Sequence, residues 1–362
     1  MNKKMLMTGN EAIGEAAVQA GCDFYAGYPI TPQNELTAYL AKRMPEEKRV
    51  FVQAESELAA INMVMGAAAC GRRAMTTSSS PGISLKQEGI SYLAGARLPC
   101  LIVNIMRGGP GLGNIAPAQS DYFQATKGGG HGDYHCLVLA PGSVQEAYHL
   151  VFLGFDLADQ YRTPTILLGD GMLGQMMEPL IVCSSPACRP GREFVVRRKR
   201  LPTKPWALNG CQGRGPRVVK SFFMQNELLE GHNKILQKNY AQIKNKEQRC
   251  EQLYLEDSSI VLVAYGSMAR IAKAATAALR KKKIKAGLLR PISLWPFPAG
   301  AFEQLLKKKK KLRFLVLEMS CGQMVEDVRL AVNGRAAVDF YGRSGGGIPT
   351  EEEILKKILH RG

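Results

Sequence analysis

The stretch Tyr25-Ala26-Gly27-Tyr28-Pro29-Ile30-Thr31-Pro32 brings a hydroxyl to a place where an anion could be held. An apolar run, Cys22 to Ala26, predicts a buried strand, which Gly27 and Pro29 then break. Thr31 suits a helix N-cap, and Pro32 suits the first helical position, where no N–H is needed. The helix N-terminus would then face the strand's carboxyl end, where open parallel sheets bind ligands. Free N–H groups and the helix dipole favour an anion there, and Thr31 adds a donor. The same residues would also make an ordinary strand–helix corner. Glu57 stands near the start of a second helical pattern, at the same sheet edge. A carboxylate is favourable at a helix N-terminus, and Glu55 could fill that role as well. Arg107 opens a stretch to Gln119 that is too rich in glycine and proline for helix or strand. A loop that long in a compact domain is often functional, although its arginine could equally make a structural ion pair.

These residues need a frame. Thr8-Gly9-Asn10-Glu11 is a capping box, followed by a helix that Gly21 ends. Beyond the opening strand the pattern predicts a helix from Pro32 to about Arg43, a strand at Arg49–Gln53 and a helix over Glu55–Cys70. A strand at Ala74–Thr77 runs into Ser78-Ser79-Ser80-Pro81-Gly82, with a helix beyond it to about Ala96. Leu101–Ile105, Leu137–Leu139 and Thr165–Leu168 are further strands, and Ser143-Val144-Gln145-Glu146 is a second capping box. Strands alternating with helices argue for a doubly wound parallel sheet. Residues 181–257 change character, to a linker rich in proline, cysteine and arginine and then a charged helix over Asn226–Glu256. A second α/β unit begins at Ser259, with strands near Ile260–Ala264, Ala286–Leu289 and Phe314–Glu318, and ends near Phe340. The expected division is 1–180, 181–257 and 258–362.

Composition bounds the function. A chain of 362 residues with 46% hydrophobic content and 37 glycines suits an α/β protein with many tight turns. The net charge of +17 is uneven, with runs at Arg197–Arg200, Arg280–Lys283 and Lys307–Lys311. Solvated helix ends explain such runs; an acidic partner, protein or nucleic acid, is the alternative. No basic motif interleaved with aromatics supports nucleic-acid binding. Nine cysteines without a CxxC pair suggest free thiols and a reducing cytoplasm. The five histidines show no metal-ligand spacing, and Tyr265-Gly266-Ser267 lacks the dinucleotide fingerprint. No leader is evident in the opening residues, and no apolar run is long enough for a membrane span.

Wider motifs carry a resemblance. Glu57 is followed nine residues later by Gly66 across a small-residue helix, which resembles the activating glutamate segment of thiamine diphosphate enzymes. Gly27-Tyr28-Pro29-Ile30-Thr31-Pro32, Glu55-Ser56-Glu57, Ser80-Pro81-Gly82 and Arg107-Gly108-Gly109-Pro110 resemble motifs of one family, the 2-oxoacid:ferredoxin oxidoreductases. So does Arg290-Pro291-Ile292-Ser293-Leu294-Trp295-Pro296-Phe297-Pro298. The chain is similar to their α subunit from about residue 5 to residue 357, and most to the branched-chain, 2-oxoisovalerate type. The basic, cysteine-bearing segment 182–217 departs from the pattern.

The resemblance implies a pyrimidine-binding α/β domain followed by a transketolase C-terminal-like α/β domain. It implies oxidative decarboxylation of a 2-oxoacid with coenzyme A and ferredoxin; 2-oxoglutarate and pyruvate are the alternative substrates. Thiamine diphosphate would be shared with a β subunit that holds the diphosphate, magnesium and an iron–sulfur cluster, beside a small γ or ferredoxin-like subunit. This chain would then hold no metal. Gly169-Asp170-Gly171 resembles the start of a diphosphate–metal motif, but the region that should supply its asparagine holds arginine and lysine, and the first asparagine is Asn209. Glu57 would share a proton with N1′ of the aminopyrimidine. Thr31 and Arg107 would hold the substrate carboxylate, and Tyr28, Pro29, Ile30, Ser80, Pro81 and Gly82 would line the cofactor.

Overall fold

Strands buried on both faces read as largely apolar runs, and two such runs form the middle of the main sheet. The structure is a computed structural model that describes residues 3–182, 204–309 and 311–359. The chain begins β1 (Lys3–Thr8), α1 (Gly9–Gln19), β2 (Phe24–Gly27), α2 (Asn34–Glu46), β3 (Val50–Gln53), α3 (Glu57–Ala69), β4 (Ala74–Ser78) and α4 (Ser80–Gly95). It continues β5 (Leu101–Met106), α5 (Tyr122–Thr126), β6 (Leu137–Leu139), α6 (Val144–Tyr161), β7 (Thr165–Asp170), α7 (Gly171–Gln175) and β8 (Met177–Val182). Then come α8 (Asn226–Lys246), β9 (Cys250–Leu253), β10 (Ile260–Val263), α9 (Met268–Lys281), β11 (Ala286–Pro291) and β12 (Ser293–Trp295). The last described elements are α10 (Ala299–Lys308), β13 (Arg313–Glu318), α11 (Met324–Val332), β14 (Ala337–Gly342) and α12 (Glu351–Leu359).

The main sheet has seven strands in the order β12-β6-β7-β5-β4-β2-β3, parallel except for β12. A five-stranded sheet, β14-β13-β10-β11-β9, builds the second unit, and β1 pairs with β8 in a separate ribbon. Its strands are parallel except for β9. Among the described residues no helix is long and apolar enough to cross a membrane.

Several element boundaries differ from expectation. Helix α2 starts at Asn34 rather than Pro32, and Thr31 is not its N-cap. The carbonyls of Thr31 and Pro32 are taken by side chains from elsewhere, Arg107 Nη1 at 2.9 Å and Asn10 Nδ2 at 2.8 Å. Ser80-Pro81-Gly82 is the first turn of α4, with proline in a position that needs no hydrogen-bonded N–H. The charged helix stops at Lys246, and Cys250–Leu253 turns back to pair antiparallel with β11. Helix α8 is anchored by Leu236, Tyr240 and Ile243, buried at helical spacing. The proline-rich 290–298 segment supplies β12, which leaves the second unit to pair with β6 at the edge of the main sheet. The second unit runs past Phe340, through β14 to α12. Of the basic segment 182–217, residues 183–203 lie outside the described residues.

Candidate active site

The carboxyl ends of β2, β4 and β5 meet the loop before α3 at one edge of the main sheet. Glu57 is the first residue of α3, whose N-cap Ser56 accepts from the Ala59 N–H at 3.1 Å. It is 6% exposed, so it is more than a surface charge at a helix end. Glu55, two residues earlier, is exposed. Among the described residues the Glu57 carboxylate has no hydrogen-bonding partner, a costly state for a buried charge.

Gly82 explains where that carboxylate lies. A Cβ placed there would overlap Ser78 Oγ and come within 2.5 Å of Glu57 Oε1. The glycine therefore lets the first turn of α4 close over the carboxylate. Gly27 is a second such position, where a Cβ would overlap the Tyr25 hydroxyl. That hydroxyl lies 2.8 Å from Thr77 Oγ1, and Thr77 Oγ1 donates to Gln33 Oε1 at 2.6 Å. This buried network holds the 27–33 turn from below.

Arg107 ends the buried run of β5 and is itself buried. Its Nη1 donates to the Thr31 carbonyl at 2.9 Å and its Nη2 to the Leu112 carbonyl at 3.1 Å. Its Nε is buried with no partner among the described residues. Its backbone N–H donates to Ser80 Oγ at 3.0 Å, and Ser80 Oγ donates to Asp121 Oδ2 at 2.6 Å. Thr31, Arg107, Ser80, Gly82 and Glu57 are thus joined through a short chain of contacts. The Thr31 hydroxyl is half-buried and accepts from Asn34 Nδ2 at 3.2 Å. Pro81 and Ile30 are half-buried, while Tyr28 and Pro29 stand exposed on the rim.

Sequence patterns missed several positioning residues. Asn10 is fully buried and joins the Pro32 carbonyl to Glu35 Oε2 at 2.8 Å. Gln33 is equally internal, and Asp121 is partly buried, with burial raising its carboxyl against the pull of Ser80 and Asn104. Lys86 is fully buried on α4. Its spacing from Gly82 and Gly89 was the available signal, since these positions share one helical face.

The second unit braces the loop. Gln119 Nε2 donates to the Tyr265 carbonyl at 2.9 Å, and the Met319 N–H donates to Gln119 Oε1 at 3.1 Å. Asn114 Nδ2 donates to the Gly345 carbonyl at 3.0 Å. Asp170 caps α7 by accepting from the Met172 and Leu173 N–H groups, and also takes the Ser267 hydroxyl at 2.9 Å. That carboxyl is committed to protein donors.

A buried carboxylate with no hydrogen-bonding partner among the described residues, a glycine cradle, and the polar atoms Ser78 Oγ, Ser79 Oγ and Arg107 Nε, likewise unpartnered among those residues, fit a polar heteroaromatic ring such as an aminopyrimidine. The fold is that of a thiamine diphosphate-binding α/β domain followed by a second α/β unit. Residues 15–244 match the family model described as pyruvate flavodoxin/ferredoxin oxidoreductase, thiamine diP-bdg, and residues 258–354 match pyruvate:ferredoxin oxidoreductase core domain II. The chain is 48% identical over 353 residues to ketoisovalerate oxidoreductase subunit VorB of Methanothermobacter thermautotrophicus, covering 98% of this chain and 96% of the relative. It is 34% identical to 2-oxoglutarate synthase subunit KorA of Methanothermobacter marburgensis, covering 99% of each. Among solved structures it resembles 2-oxoglutarate:ferredoxin oxidoreductase from Magnetococcus marinus, with a TM-score of 0.82 and 25% identity. That match covers 99% of this chain and 65% of the solved one, so the chain spans under two thirds of that structure's length. A split-gene transketolase, at 13% identity and a TM-score of 0.55, shares the fold. The chain belongs to the 2-oxoacid:ferredoxin oxidoreductase family, as a subunit of that thiamine diphosphate-dependent enzyme.

Proposed function

We propose that this chain is the α subunit that presents the aminopyrimidine side of thiamine diphosphate in a branched-chain 2-oxoacid:ferredoxin oxidoreductase, with 2-oxoisovalerate as substrate. The observation that carries the reading is Glu57, buried under Gly82 with its carboxylate unclaimed by protein donors among the described residues. Thiamine diphosphate, when bound, supplies a nucleophilic thiazolium carbon and a sink for the electrons left as carbon dioxide departs. Glu57 holds the proton that it exchanges with ring atom N1′. Ser80, Pro81, Gly82, Tyr28, Pro29 and Ile30 shape the walls. The Thr31 hydroxyl and the remaining donors of Arg107 orient the substrate carboxylate, with Arg107 also pinning Thr31 and Leu112.

The substrate assignment is supported by the 48–49% identity to two ketoisovalerate oxidoreductase subunits, against 34–39% to 2-oxoglutarate synthase subunits. The loop Gly108–Gln119 agrees: it holds no basic residue for a second carboxylate, and its exposed tip carries Leu112 and Ile115. Magnesium, the diphosphate and an iron–sulfur cluster belong to a β subunit. A small γ or ferredoxin-like subunit, coenzyme A and ferredoxin complete the system. The solved relative from Magnetococcus marinus holds 2-oxoglutarate, coenzyme A and succinyl-CoA. The cysteines described, Cys22, Cys70, Cys100, Cys136, Cys211, Cys250 and Cys321, are free thiols, which supports a cytoplasmic location. The test is kcat/KM of the assembled enzyme for 2-oxoisovalerate, 2-oxoglutarate and pyruvate, with a viologen acceptor. A preference for 2-oxoglutarate would overturn the substrate assignment.

A further inference from the structure

Lys86 is fully buried, and lysine is rarely so unless a carboxylate pairs with it. Among the described residues its one hydrogen bond is long, from Nζ to the Glu57 backbone carbonyl at 3.4 Å, and no carboxylate lies within ion-pair distance. Its place follows from helical spacing. Gly82, Lys86 and Gly89 share one face of α4. Gly82 lies against Glu57, and a Cβ on Gly89 would come within 2.5 Å of Ile61 Cγ2, one turn further along α3. Lys86 is thus held between these two contacts, beneath the residue that carries the proton. A methionine would fill a similar space without the cost of burying an ammonium.

We propose that Lys86 is a positioning residue for the proton that Glu57 exchanges with the aminopyrimidine ring, its ammonium stabilising the Glu57 carboxylate while the proton lies on ring atom N1′. The proposal rests on the assignment of Glu57 made above. The proton passes from the Glu57 carboxyl oxygen to N1′ and back, and no other bond changes. Burial pulls the Lys86 ammonium down to about 8 while the field of Glu57 acts in the opposite direction. The cation therefore persists at neutral pH and is lost on a mild alkaline rise. Other charged and titratable groups also face α4. Arg107 and Asp121 meet Ser80 in its first turn, Tyr134 meets Gln87, His131 lies edge-on to Tyr92, and His232 of α8 meets the Gly95 carbonyl. Of all these, Glu57 is the group whose field acts on Lys86.

The test uses the assembled complex loaded with thiamine diphosphate. It reads the hydrogen–deuterium exchange rate at C2 of the bound cofactor against pH, without substrate. Removing a neighbouring cation makes the Glu57 carboxylate harder to form. In Lys86→Met exchange should therefore slow roughly tenfold on the acid limb of the profile. Lys86→Arg should keep the wild-type limb. Lys86→Gln keeps a donor for the Glu57 carbonyl but carries no charge, and should behave like Lys86→Met; it serves if the methionine variant fails to assemble. Glu57→Gln is the reference. If it slows exchange while folded Lys86→Met and Lys86→Gln keep the wild-type profile, the role of Lys86 is overturned and that of Glu57 stands. If Glu57→Gln itself leaves exchange intact, the Glu57 assignment falls and the role of Lys86 with it.

Discussion

Gly82 decides where the Glu57 carboxylate can lie, because a methyl group there meets Ser78 Oγ and Glu57 Oε1 together. Gly82→Ala should displace the carboxylate and cut kcat roughly tenfold or more, with slower C2–H exchange in parallel. A Gly82→Ala enzyme with wild-type kcat would show that the cradle is dispensable. Glu57→Gln should cost on the order of 10²-fold or more in kcat while the complex still assembles. Glu55→Gln should remain within about threefold, since Glu55 is exposed and contributes at most a helix-terminal charge worth roughly 0.3–1 kcal/mol. If Glu55→Gln abolishes C2–H exchange and Glu57→Gln does not, the proton assignment moves by two residues. The position of Glu57 near a helix start was legible in the sequence, and the role proposed for it rests on the pattern ending at Gly66. Lys86, Asn10 and Gln33 were not legible as internal residues. A polar side chain on a helix looks solvent-facing until the partner helix or turn is known.

At the scale of elements, strand–helix alternation was readable because β5 and β7 are largely apolar and α1 and α6 are capped by Thr8 and Ser143. The starts of α2 and α4 were not, because distant side chains decide which carbonyls and N–H groups remain for the helix. Glu146 is a similar case. It looks like the second half of a capping box, but its carboxylate takes the Gly142 N–H at 2.7 Å and pairs with both Nη atoms of Arg290 at 2.8 Å. Arg290→Met should therefore lower the stability of the full chain by about 3 kcal/mol, because it leaves Glu146 buried without its cation. Adding Glu146→Leu should recover much of that loss. A denaturant-midpoint comparison of the two variants checks this, and equal losses would mean that Glu146 is satisfied without Arg290. Strand β12 escaped notice because the prolines on either side, Pro291 and Pro296, masked it. Trp295 there stacks on His135, with ring centroids 4.4 Å apart and an interplanar angle of 18°. Burial, and then the Lys244 charge, hold His135 down at about 4. The unfolded chain thus binds the proton first, near pH 6.5, so stability is lost as pH falls from about 6.5 towards 4. Discounted for its partial exposure, the loss is about 1–2 kcal/mol. His135→Phe should flatten that acid limb in midpoints measured from pH 4 to 7. A limb as steep as the wild type's would assign it to other groups.

At the scale of the whole molecule, part of the +17 charge has a local explanation. Arg280 and Lys281 close α9, and Lys307 and Lys308 close α10, where cations complement the helix dipole. The site's own rim is different. Tyr28, Leu58, Leu85, Leu112 and Ile115 are exposed, from 39% at Tyr28 to 81% at Leu112, around an edge that presents a buried carboxylate. The one acidic side chain of Gly169-Asp170-Gly171 is already bound to Ser267 and the first turn of α7. If the diphosphate and magnesium belong to a β subunit, this chain alone offers an aminopyrimidine wall and little else. Each further contact to the diphosphate would have to come from the partner, so affinity should appear only on assembly. The purified single chain should therefore bind thiamine diphosphate at least about 10²-fold more weakly than the complex, a difference of roughly 2.7 kcal/mol. Magnesium should change that weak binding little, and no 2-oxoacid should be oxidised by the chain alone. Titration calorimetry of the chain, of the partner and of their mixture, each with and without magnesium, measures the binding and its magnesium dependence, and viologen reduction by the chain alone measures the oxidation. Tight, magnesium-dependent binding by the single chain would mean that it carries a diphosphate site of its own, and the shared-cofactor assignment would have to be abandoned.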